Sequence, residues 1–122
     1  MPKKPFHKMT PEQVNELAKL APVRLRIARV ANNLTQAAIA RELGITRGRW
    51  SQYEKGQRLL NWQLAGQVAV ICEVDANYIL FGYDFDIEKD VRGRLKMAEE
   101  TLKAQKVLPV TDGMHRWRSR GG

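Results

Sequence analysis

Two short helical segments separated by nothing more than Gly44-Ile45 constrain this chain more than any other feature. Thr35 is a good N-cap for a helix Gln36–Leu43, whose apolar positions are Ile39, Ala40 and Leu43. Gly44 follows at once, where a left-handed residue is wanted to stop a helix. Ile45 is an apolar plug, Thr46 caps a second helix over residues 46–55, and Gly56 closes it. So tight a turn makes the second helix cross the first and protrude from the surface.

At 3.6 residues per turn, Trp50 and Tyr53 share one side of the second helix, with Ile45 just before them, and that side is expected to face a core. Gly48, Ser51, Gln52 and Lys55 occupy the opposite side, flanked by Arg47 and Arg49. The outward face is polar, partly cationic and free of acid. Arginine can donate two hydrogen bonds to guanine, glutamine can pair in bidentate fashion with adenine, and the major groove of duplex DNA admits one α-helix. Glycine inside a helix costs about 1 kcal/mol relative to alanine. Gly48 therefore has two readings, close backbone approach to DNA or drift at an exposed site.

The remaining pattern is helical, and an all-α fold is expected. Thr10-Pro11-Glu12-Gln13 is a helix start with a capping box, and Pro22 is expected to end or kink that first helix. Residues 23–30 form an amphipathic segment that stops at Asn32-Asn33. Asn61 caps a helix Trp62–Cys72 with Leu64, Val68, Ile71 and Cys72 as its apolar stripe, and Asp75 caps a short helix that Gly82 stops. Residues 86–106 form a charged helix with Ile87, Val91, Leu95, Ala98 and Leu102 at spacings of four and three. That stripe either packs back on the bundle or pairs with a second subunit. Three segments follow: 1–22, a basic arm and short N-terminal helix; 23–83, the helix-turn-helix domain; and 84–122, a C-terminal helix and basic tail.

The 122 residues carry 21 basic and 13 acidic side chains, a formal charge of +8. Such a balance favours a polyanionic partner, because neutralising phosphates releases condensed counterions, although a plain solubility charge reads the same way. One cysteine, Cys72, allows neither an internal disulfide nor a Cys-rich metal site, and it falls on an apolar helix face as a core residue. His7 and His115 show no metal-ligand spacing. No signal-like or membrane-spanning run is seen, which points to the cytoplasm and away from a membrane. No carboxylate pair, Ser/His/Asp set or glycine-rich phosphate loop stands in a credible context, so neither an enzyme, a cofactor nor a metal is expected.

From Arg24 to Gly82 the chain resembles the Cro/lambda-repressor-like helix-turn-helix family. The residues that carry the resemblance are Leu25-Arg26-Ile27-Ala28-Arg29, Leu34-Thr35-Gln36, Ile39-Ala40, Leu43-Gly44-Ile45-Thr46, Ser51-Gln52-Tyr53-Glu54-Lys55-Gly56, Arg58, and residues 74–82. It implies a five-helix bundle, here with extra N-terminal and C-terminal helices. Gln36 would touch the DNA backbone at the start of the positioning helix, and Arg47, Gly48 and Gln52 would meet base edges. Lys55, Gln57 and Arg58 would lie along phosphates, and Arg29 would pair with Glu54. Thr46, Arg49 and Ser51 complete the expected DNA-facing set. The resemblance also implies a sequence-specific transcriptional regulator of repressor type that binds double-stranded DNA as a homodimer.

Three departures from the family are visible: Leu60 where proline is common, Glu73 where glycine is common, and Trp50 where a smaller aliphatic residue is usual. Arg24, Arg26 and Arg41 either track phosphates or are solvated surface charges, and the spacing of Trp50 and Trp62 fits packing better than base stacking. The alternative function is an antitoxin-like interaction module, whose protein partner would bind the terminal segments outside the family match.

Overall fold

A computed structural model describes residues 10–84 and 87–105, without the side chains of Val14 and Leu17. The expected basic arm and basic tail lie outside the described residues. Among the described residues seven helices follow one another: α1 (Pro11–Ala18), α2 (Ala21–Ala31), α3 (Gln36–Leu43), α4 (Arg47–Glu54), α5 (Trp62–Cys72), α6 (Ala76–Phe81) and α7 (Lys89–Ala104). No strand occurs among the described residues. The fold is all-α, with α2–α6 flanked by one extra helix at each end.

Local chemistry accounts for most of the boundaries. Thr10 and Gln13 cap α1 reciprocally, each side chain accepting from the other's backbone N–H. Pro22 does not interrupt a helix but sits in the first turn of α2, where a missing N–H is harmless. The side chains of Thr35, Thr46, Asn61 and Asp75 accept from backbone N–H groups at the starts of α3, α4, α5 and α6. Gly44 closes α3 in the left-handed region at φ 72°, which turns the chain sharply enough to launch α4 across it. Glu73, where the family favours glycine, adopts the same left-handed conformation at φ 59°, so the turn is kept despite the side chain.

One core runs through the bundle. Leu25, Ile27 and Ala28 of α2, Ile39 of α3, Trp50 of α4, Val68 and Cys72 of α5 and Ile79 of α6 are all within 1% of full burial. Burial raises the Cys72 thiol to about 12, keeping it neutral and unreactive. The α7 stripe joins this core: Ile87, Val91, Leu95, Ala98 and Leu102 are buried, and α7 packs chiefly on α2. Of the two readings of that stripe, packing within the bundle is the one observed.

Arg24 overturns both sequence readings of it, for it neither reaches outward nor sits in solvent. It is 1% exposed, and its Nη1 donates to the Ile79 carbonyl at 3.2 Å. Burial lowers its pKa to about 10, opposed by Tyr78 and by the buried Glu99 of α7, so it stays charged near neutral pH. A Cβ on Gly82 would lie 2.9 Å from Arg24 Nε, so the glycine that stops α6 also leaves room for the guanidinium. Arg24 thereby ties α2 to α6 and α7.

Candidate nucleic-acid interface

The inner side of α4 is fixed by a buried carboxylate. The Glu54 side chain is fully buried and meets four donors from three helices. From α2, Arg29 donates from Nε to Oε2 and from Nη2 to Oε1 at 3.3 Å, while Arg26 Nε donates to Oε1 at 3.1 Å. From α3, Gln36 Nε2 donates to Oε1 at 3.1 Å. Within α4, Trp50 Nε1 donates to Oε2 at 2.6 Å. Burial alone would raise the Glu54 pKa, but the hydrogen bonds and charge of Arg29, with help from Gln36 and Arg26, hold it below the usual carboxylate value.

The expected Arg29–Glu54 pair is present, and three of its neighbours were missed. Arg26 lies three residues before Arg29 and so on the same face of α2, a spacing from which the second ion pair was readable. Trp50 lies four residues before Glu54, a spacing that puts the indole N–H over the carboxylate. Trp50 also fills the core at 0% exposure, which is how a larger residue replaces the usual aliphatic one. Gln36, expected at the DNA backbone, is half-buried and spends one amide N–H on Glu54. Its remaining amide proton and carbonyl stand at the first position of α3.

The outer side of α4 makes few contacts with the protein. Arg47, Gly48, Arg49, Gln52 and Lys55 are exposed, as is the capping residue Thr46, and Ser51 is half-buried. Thr46 spends its hydroxyl oxygen on the Arg49 backbone N–H at 3.1 Å. A Cβ at Gly48 would meet nothing within 4 Å, so no internal contact requires glycine there. Beyond α4, the exposed Arg58 donates from Nε to Gln52 Oε1 at 3.1 Å, linking the basic loop to the middle of the outer face. Arg41 is exposed on α3. Trp62, expected to pack, is 76% exposed instead.

The face therefore offers exposed guanidinium and amide donors without an acid among them, on a helix whose inner side is locked by Glu54. No helix among the described residues is long and apolar enough to cross a membrane. No curated protein and no solved structure matches the chain. A family model described as a helix-turn-helix domain matches residues 23–77, which span α3, the three-residue turn after it, α4 and most of the helices that support them. Residues 23–77 of this chain are thus a helix-turn-helix domain.

Proposed function

We propose that the protein is a sequence-specific regulator that binds double-stranded DNA as a homodimer, lays α4 in the major groove and represses transcription by occupying its site. The observation that carries this reading is the contrast across one helix. A buried carboxylate holds α4 rigidly, and Arg47, Gln52 and Lys55 stand outward in solvent.

Arg47 and Gln52 are the base readers, assisted by Arg49 and Ser51. Lys55 and Arg58 contribute phosphate contacts, which supply affinity without sequence information. Gly48 lets the α4 backbone approach the base edges. Gln36 contacts the backbone at the start of α3 with the amide atoms that Glu54 leaves available. The hydrogen bond from Arg58 to Gln52 lets a phosphate-binding residue steady a base-reading one.

Selection of bound sequences from a random duplex pool tests the reading. The expected result is one enriched motif with two-fold symmetry, whose binding weakens steeply with salt. Binding with no sequence preference, or no binding at low ionic strength, overturns it. A reporter carrying the selected motif in its promoter should lose expression when the protein is supplied.

A further inference from the structure

With the α7 stripe consumed inside the bundle, large apolar side chains remain exposed chiefly around α5. Leu59 is 92% exposed, Trp62 76% and Val70 82%; Met97, at 70%, stands apart on α7. Trp62, Gly66 and Val70 are spaced four residues apart and so run along one side of α5. A Cβ at Gly66 would meet nothing within 4 Å, so nothing among the described residues calls for a glycine that weakens the helix by about 1 kcal/mol. Beside this stripe runs a groove of about 870 Å³, lined also by Leu43, Ile45 and Ile71 and carrying Glu42 and Arg49.

We propose that a second copy of this chain covers this surface, α5 packing antiparallel on α5 of its partner with the two-fold axis at Gly66. The stripe is self-complementary in that arrangement. Trp62 and Val70 stand on opposite sides of Gly66, each about 6 Å along the axis. An antiparallel two-fold therefore places each copy's Trp62 opposite the other's Val70, as an isologous interface requires. Gly66 at the crossing lets the two backbones approach closely. The charges agree with the same occupant. Glu42 and Arg49 form no ion pair among the described residues, and a second copy presents the opposite charge to each. Gly48, Gln52 and Lys55 do not line this groove, whereas Arg49 does, so in the dimer Arg49 serves the interface and base reading falls to Arg47, Gln52 and Ser51. It rests on the homodimer of the proposed function and assigns the face that forms it.

Sedimentation equilibrium of the full chain, without DNA, is the test. The wild type is expected to show a monomer–dimer equilibrium. Gly66→Gln and Val70→Glu are each expected to weaken it at least tenfold. Val70 is exposed and a Cβ at the half-buried Gly66 meets nothing within 4 Å, so each variant should fold as the wild type does, and thermal melts check this. Gly66→Gln should melt no lower than wild type, which separates lost pairing from lost folding. Reversing both charges, Glu42→Arg with Arg49→Glu, should restore dimer weakened by either reversal alone. A wild type that stays monomeric at every concentration, or a dimer unchanged by both α5 substitutions, overturns the assignment. DNA recognition is scored separately: the Gly66→Gln and Val70→Glu variants should still bind a duplex holding one half of the selected motif. If the wild type dimerises through α5 but binds no duplex, the interface stands and the DNA reading falls.

Discussion

The inner and outer sides of α4 and its C-cap Lys55 belong to one short segment, yet they are governed by different physics. Inward, Trp50, Tyr53 and Glu54 are buried, and every Glu54 oxygen is held by donors from α2, α3 or α4 itself. Outward, Arg47, Gly48, Gln52 and Lys55 are exposed, and among the described residues only the Gln52 side chain of this set has a hydrogen-bond partner, itself exposed. The inner side decides whether the domain stands; the outer side is left to decide what it binds. A buried charge this well satisfied tolerates no loss of a partner, whereas exposed charges change little in the folded chain when removed.

That contrast can be broken hardest from the inside. Removing the carboxylate with Glu54→Ala strands two guanidinium groups and the Trp50 N–H, and stability should fall by about 3–5 kcal/mol in denaturant titrations. Trp50→Ala should fall in the same range, because it empties the largest core site. Acid should act through the same group. The native Glu54 pKa lies below its ordinary value. Its stabilisation is therefore complete above the ordinary carboxylate range near pH 4.3 and disappears as pH falls through the lower native value. Melting temperature against pH should drop more steeply below about pH 4 in the wild type than in Glu54→Gln, in which that position cannot titrate.

Substitutions on the outer side should leave folding intact and change recognition. Arg47→Ala should cost about 1–3 kcal/mol of discrimination at one base position, read from binding to duplexes varied at that position, with the melt unchanged. Gly48→Ala should raise stability by up to about 1 kcal/mol, since the added methyl meets nothing and alanine favours a helix. The same variant should bind the selected duplex less tightly, because the methyl enters the space between backbone and bases. The smallest effect concerns Arg58. Arg58→Ala and Gln52→Ala should be non-additive in DNA affinity by about 0.5 kcal/mol in a double-mutant cycle, as expected if the hydrogen bond between them orients Gln52. Strict additivity would leave Arg58 as a phosphate contact alone.

How far the site was legible follows the same division. The outward set from Arg47 to Lys55 was readable because one helix with a known inward pair, Trp50 and Tyr53, assigns every other position by angle. Glu54 as a burial site was not readable from hydropathy, since a carboxylate looks like surface until its partners are known. The resemblance supplied Arg29, and helical spacing to Arg29 and to Glu54 pointed to Arg26 and Trp50, whereas Gln36 emerged only when α3 met α4. Trp62 went the other way: its apolar character suggested packing, and the bundle left it outside.

Local chemistry written in the chain determined where helices begin and end. Thr35, Thr46, Asn61 and Asp75 cap the helices that follow them, and Gly44 and Gly82 close α3 and α6 in the left-handed region. Caps and turns act over three or four residues, so the sequence alone suffices for them. Tertiary structure decided which charges go inside and where α7 lies. Arg24 meets Ile79 fifty-five residues away, Glu54 gathers donors from two other helices, and the α7 stripe finds its partner surface on α2. Burial of a charge or a stripe depends on groups distant in the chain, and no local pattern encodes their meeting.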